Sequence, residues 1–167
     1  FNALLPAEEI RARTEGDEGF FHLCDMKGDV EHAELHYIVR DHDRATFEAR
    51  KKLMEHAVKV INEKYGRSVV TLRLKDSYYN MKEKILPENA HLIDNAVRAM
   101  EEAGVTPTIV PIRGGTDGCQ LSFMGLPCPN LGTGGHAFHG PYEHITAEGM
   151  DKAVDIAVEL VKLYAEM

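Results

Sequence analysis

Residues 33–40 read Ala33-Glu34-Leu35-His36-Tyr37-Ile38-Val39-Arg40. Ala33, Leu35, Tyr37 and Val39 alternate with Glu34, His36, Ile38 and Arg40, a period of two that sends the two sets to opposite faces of a strand. Upstream, Gly19-Phe20-Phe21-His22-Leu23-Cys24 has the aromatic richness of a strand. Between them, Met26-Lys27-Gly28-Asp29 reads as a turn in which Gly28 takes a positive φ. The two runs predict a half-buried antiparallel hairpin. Asp43 then caps a helix whose Phe47, Met54, Val58 and Ile61 fall on one stripe, with Glu48/Lys52 and Glu55/Lys59 as i,i+4 pairs on the wet face. Gly66 ends the helix, and Val70, Leu72 and Leu74 alternate with Thr71, Arg73 and Lys75 in a further strand. Residues 19–76 therefore read β-β-α-β, a small α+β layer with a helix over one sheet face.

From Asp76 onward the pattern changes. Ser77-Tyr78-Tyr79-Asn80-Met81 has no period and reads as a crossing linker. Leu92, Ile93, Ala96, Val97 and Met100 form a helical stripe ended by Gly104. Thr108-Ile109-Val110 reads as a short buried strand, Gln120–Met124 as a turn of helix, and Pro129-Asn130-Leu131 as a second short strand. Thr146 caps a last helix with Met150, Val154, Ala157, Val161 and Tyr164 on one side. Helices alternating with strands predict part of an α/β sheet with functional loops at one edge. The chain thus divides into 1–76, α+β, and 77–167, α/β. Residues 7–19 are a polar connecting loop. Phe1–Pro6 reads as the last turn of a helix stopped by proline, the expectation for a piece of a longer protein.

Composition excludes some classes of function. A net charge of −8 opposes nonspecific binding of nucleic acid. No apolar run approaches the roughly 20 residues that span a bilayer. Cys24, Cys119 and Cys128 are odd in number and lack metal-binding spacing, which favours a reducing, cytoplasmic setting over a disulfide framework. There is no Ser-His-Asp order, nucleotide-binding glycine pattern or nucleophile elbow.

The residues with chemistry gather in two glycine-lined runs. In Pro111-Ile112-Arg113-Gly114-Gly115-Thr116-Asp117-Gly118, the arginine offers a planar fork of donors to an anion, and Gly115 and its neighbours can add main-chain N–H groups. Asp117 is the competitor for Arg113, or a cap for the turn that follows; a plain surface arginine is the other reading. In Phe138-His139-Gly140 the histidine is a candidate metal ligand or proton carrier. His136 and His144 raise the alternative of a local histidine cluster, although the flanking glycines deny it a helix. Glu143 is a candidate to orient an imidazole from outside the ligand set. Arg40 and His36 share a strand face, either a solvated polar face or a positive surface capping a cleft. Asn80 is either a turn residue or a polar pocket group. Cys119 and Cys128, with no adjacent base, read as unreactive thiols.

Together these stretches resemble a known family. I-R-G-G-T-D-G-C-Q-L-S-F-M-G-L-P-C-P-N-L-G-T-G-G-x-x-F-H-G at 112–140 resembles the C-terminal signature of the aminotripeptidase (peptidase T) branch of the dinuclear-zinc exopeptidases. E-G-D-E-G-F-F-H-L-C-D-M-K-G at 15–28, H-Y-I-V-R-D-H-D-R with F-E-A-R-K at 36–51, and D-S-Y-Y-N-M-K-E-K at 76–84 are similar to it as well. The resemblance implies a zinc-bearing α/β catalytic domain interrupted by a lid that makes a homodimer contact. Residues 1–76 would be most of the lid and 77–167 the closing part of the catalytic domain.

It also implies roles for single residues. His139 would be the last zinc ligand, Arg113 and Gly115 would hold the substrate's terminal carboxylate, and Arg40 would face the substrate from the lid. By the resemblance, the family's H-x-D motif, bridging aspartate, Glu-Glu pair, remaining aspartate ligand and lid histidine would all lie upstream of Phe1. The general base is therefore expected outside this chain, so no catalytic residue is expected within it. These residues alone are expected to be inactive and to bind zinc weakly. A related dipeptidase, an N-acyl-amino-acid hydrolase and a non-catalytic dimerisation module are the alternative readings.

Overall fold

The computed structural model describes residues 1–166, and the chain divides into two compact units. The first comprises 1–80 together with 111–114, the second 81–110 together with 115–167.

In the first unit, β1 (Phe20–Gly28) and β2 (Ala33–Arg40) form an antiparallel pair, as their alternation predicts. Phe20 lies opposite Arg40, Phe21 opposite Val39 and Leu23 opposite Tyr37, and an irregularity between Leu23 and Asp25 sets Asp25 against His36. The turn differs from its expected place. β1 runs through Gly28, and the reversal is made by 29–32. There the Asp29 carboxylate accepts the N–H groups of Glu31 and His32 (2.8 and 2.9 Å), and the Asp29 N–H donates to the His32 carbonyl (2.8 Å). Gly28 is required for closeness rather than for a positive φ, since a Cβ there would stand 3.0 Å from both the Ala33 Cβ and the His32 oxygen.

α1 (Arg44–Tyr65) begins where Asp43 accepts the Thr46 N–H (2.9 Å) and ends at Gly66, whose φ of 63° lets the main chain reverse without a side-chain clash. Its apolar stripe packs Met54 against Leu5 and Phe21, with Phe1, Tyr37, Val39, Leu53 and Leu72 around them. The ion pairs are not those expected from spacing. Lys51 bridges Glu48 (2.8 Å) and Asp76 (2.9 Å), and Lys59 approaches Glu63.

Residues 70–74 do not form the expected strand. Leu72 still packs on the core, but the main chain is held by a side chain. The Asn62 amide accepts the N–H groups of Val69 and Val70 (2.8 and 2.9 Å) and donates to the Val70 carbonyl (2.9 Å). With those groups satisfied locally, Val69 and Val70 have no need of a ladder partner there, and 70–74 join no ladder among the described residues.

The second unit is helical: α2 (Lys82–Ile85), α3 (His91–Glu102), α4 (Asp117–Phe123) and α5 (Ala147–Ala165). A two-residue antiparallel ladder joins β3 (Gly135–His136) to β4 (His144–Ile145). α3 and α5 pack through Ala99, Ala103 and Ile156, with Met100, Val105, Leu160 and Leu163 beside them. The stripe foreseen on α5, Met150, Val154, Ala157, Val161 and Tyr164, is instead exposed. That helix is apolar on two sides, and α3 covers the side carrying Ile156, Leu160 and Leu163. The expected strands at 108–110 and 129–131 are absent among the described residues. Ile109 is 74% exposed, so the burial that would make a strand of it is lacking.

Candidate functional site

In the first unit the hairpin supplies the floor beneath the arginines. Phe20 and Arg40 are cross-strand partners and so share a face, opposite the one that Phe21, Val39 and Tyr37 give to the core. Segment 111–114 lies with that hairpin. The Arg40 Nη1 donates to the Arg113 carbonyl (2.9 Å), and its guanidinium stands 5.9 Å from the Tyr78 ring centre. The Arg113 guanidinium lies 4.9 Å from the Phe20 ring centre, a favourable contact for a cation. Its Nη1 donates to the Thr14 carbonyl and its Nη2 to the Thr14 hydroxyl, with a longer bond to the Glu18 carbonyl (3.4 Å).

Two further groups pin the same region. The ring nitrogens of His42 approach the carbonyls of Asp17 and Ile112, each at 3.2 Å, tying loop 14–18 to the base of the arginine segment. The Asn80 Nδ2 donates to the His42 carbonyl (3.1 Å), which makes Asn80 a brace for the 41–43 turn. Behind them, Arg50 bonds Asp41 (2.8 Å) and pairs with Glu9, and the Asp41 side chain is almost wholly buried. Burial lowers the Arg50 pKa from its ordinary value.

Thr14, Glu18 and His42 were not singled out from the sequence as partners of Arg113. The competitor that was, Asp117, is the first residue of α4, where a carboxylate suits the helix N-terminus. Nothing in the local pattern distinguishes Thr14, because it acts on a residue 99 positions away.

In the second unit His139 sits in a left-handed turn, with φ of 63°, beside Ala137 with φ of 53°. Two consecutive bends close it. The Gly140 N–H reaches the Ala137 carbonyl (3.3 Å), and the Glu143 N–H reaches the Gly140 carbonyl (3.1 Å). The Glu143 carboxylate accepts the main-chain N–H of His139 (3.0 Å), so it fixes the histidine through its backbone, where the sequence suggested its ring. The imidazole is exposed. His136 and His144 face each other across the ladder with ring centres 5.4 Å apart, and His144 Nδ1 is 2.7 Å from the Tyr142 carbonyl. Among the described residues, no group of three or more His, Cys, Asp or Glu side chains converges to hold a metal. Gly115 is exposed and irregular, ahead of α4. Cys119 is buried, Cys128 half-buried and Cys24 exposed, all as free thiols.

The family model described as peptidase family M20/M25/M40 matches residues 3–163, nearly the whole chain. The chain belongs to this family. M20 peptidases are metal-dependent and act on peptides. Over 162 residues the chain is 56% identical to "Peptidase T" of Halothermothrix orenii, covering 97% of the chain and 40% of that protein. It is 55% identical over 166 residues to "Peptidase T" of Clostridium acetobutylicum, and 54% identical to that of Salmonella newport. Each of these matches covers 99% of the chain and 40% of the relative. Among solved structures, aminopeptidase PepT from Bacillus cereus shares the fold, with a TM-score of 0.70 and 19% identity over 96% of this chain and 42% of that one. The chain therefore spans about 40% of the length of these M20 relatives.

His139 presents one exposed imidazole on a fixed turn, a suitable zinc donor, whereas a closed or catalytic zinc site uses three or four protein ligands. The described residues fit one corner of such a site. No helix among them is long and apolar enough to cross a membrane.

Proposed function

We propose that the chain is the C-terminal portion of a zinc tripeptide aminopeptidase, in which residues 1–76 are most of a lid and dimer-forming domain and 77–167 close the catalytic domain. On this reading Arg113, Arg40 and Gly115 meet the free carboxylate of a short peptide, and His139 is one ligand of a two-zinc centre. The protein works in the cytoplasm as a homodimer. The observation that carries the reading is the stacking of Arg113 over Phe20 with Arg40 bonded to its carbonyl, two cations held on one hairpin face. Two guanidinium groups, one held to the other's carbonyl, suit a planar anion such as a peptide terminus.

When bound, zinc would polarise the scissile carbonyl and bring the pKa of its water toward 7. The chain's own part is positional. The Glu143 carboxylate and the two bends hold His139 so that its ring is presented outward. Asn80 and His42 hold the 41–43 turn and loop 14–18, and with them the direction in which Arg40 and Arg113 point.

The test uses a full-length peptidase that carries this chain, assayed on Ala-Ala-Ala, Ala-Ala and N-acetyl-alanine before and after chelation. Cleavage of the tripeptide above the other two, lost on chelation and restored by zinc, is the expected result. Preference for the dipeptide or the N-acyl amino acid would replace the reading with one of its relatives.

A further inference from the structure

A guanidinium has five N–H donors arranged on two usable edges, an outer edge of Nη1 with Nη2 and a side edge of Nε with Nη2. In the first unit one residue fills the outer edge of Arg113. Thr14 takes Nη1 on its main-chain carbonyl and Nη2 on its hydroxyl oxygen. Thr14 is only 8% exposed, and its own hydroxyl proton goes to the Ile10 carbonyl (3.1 Å), leaving the oxygen lone pairs to the arginine. The side edge is different. The Arg113 Nε is buried and has no hydrogen-bond partner among the described residues, and the second Nη2 contact is the long one to the Glu18 carbonyl at 3.4 Å. A buried donor left without an acceptor is costly, which makes this edge the one that gains from a new partner.

We propose that Thr14 is a positioning residue for Arg113: it occupies the outer edge of the guanidinium and so leaves the side edge, Nε with Nη2, as the pair that receives a carboxylate. The two oxygens of a carboxylate match the spacing of that edge, so contact would be bidentate once the long Glu18 bond is given up. Thr14 and the Phe20 ring hold the guanidinium in advance, and a ligand then spends little of its binding free energy on ordering it. The carboxylate half of this inference rests on the function proposed above. The hold of Thr14 on Arg113 does not.

Isotope-labelled NMR of the chain separates the two. Arg113 guanidinium signals are assigned by their loss in Arg113→Lys, then followed in Thr14→Val, which keeps shape and the main-chain acceptor but removes the hydroxyl acceptor, and in Thr14→Ser, which keeps both. In the unmodified chain the Nη protons are expected to be resolved by slowed rotation. The Nε–H is expected to shift on addition of Ala-Ala-Ala and to stay in place with its C-terminal amide. Thr14→Val is expected to merge the Nη signals and weaken the tripeptide response about tenfold, the loss of one hydrogen bond to a charged group. Thr14→Ser is expected to restore both. Unchanged Nη signals in Thr14→Val would overturn the positioning role. Should that variant unfold, a coupling across the bond from an Arg113 Nη to the Thr14 carbonyl carbon decides the matter in the unmodified chain, and its absence overturns the role. Equal responses to the tripeptide and its amide would overturn the side-edge assignment and the carboxylate reading together, while the Nη signals still report on Thr14.

Discussion

A methyl group on Gly118 would stand 2.5 Å from the carbonyl oxygen of Cys128, a main-chain atom that cannot swing aside. Gly118 is buried in α4, where the Ser122 hydroxyl accepts the Cys128 N–H (2.9 Å) and draws that strand of chain close. Gly118→Ala is therefore expected to destabilise the second unit by about 1–3 kcal/mol, the usual cost of overpacking, read as a lowered melting temperature. At the same scale, three carboxyls of the first unit are held below their ordinary pKa of 3.8. The N–H groups of Glu31 and His32 do this for Asp29, the Thr46 N–H for Asp43, and Lys51 with the Tyr79 hydroxyl for Asp76. A lowered folded pKa adds stability that is present above the unfolded value and lost as pH falls through the folded one. The melting temperature of the first unit is thus expected to fall as pH drops below about 3.8 and to fall less in Asp29→Ala. A flat profile between pH 5 and 2 would contradict this.

Among the elements, Asn62 does for residues 69–70 what a neighbouring strand would otherwise do. Removing its side chain leaves two N–H groups and a carbonyl without those bonds. Asn62→Ala is expected to cost roughly 1–3 kcal/mol and to speed amide exchange at Val69 and Val70 before any other site. The same segment shows what the sequence could and could not disclose. β2, α1, α3 and α5 were legible from their periods and β1 from its aromatic residues, while Asp43, Gly66, Gly104 and Thr146 marked helix ends. Residues 70–74 carry a strand's alternation too, but a ladder needs a partner, and alternation does not name one. The two-sided α5 was misread for a related reason, since period alone cannot say which apolar face α3 covers. Gly28 was legible as a special position, although closeness to Ala33, not turn geometry, explains it. Arg113, Arg40 and His139 stood out because glycines or period marked them. Thr14 did not, because its role depends on a contact that only the folded chain brings about.

At the scale of the whole molecule, the proposal is that the chain supplies part of a site whose centre is completed from outside it. The described residues contain no converging set of metal ligands, and His139 offers a single imidazole. Cobalt added to these 167 residues is accordingly expected to give no tetrahedral d–d bands, because that geometry needs about four ligands. Strong bands lost in His139→Ala would show a metal site more complete than the one argued here. The most direct test of the central claim, that Arg113 meets the substrate's terminal carboxylate, compares Ala-Ala-Ala with its C-terminal amide in a full-length peptidase carrying this chain. The account expects the free acid to be cleaved with a kcat/KM about 10- to 100-fold above the amide, the worth of hydrogen bonds to a charged group, and Arg113→Ala to abolish the difference. Equal cleavage of acid and amide by the unmodified enzyme would contradict it.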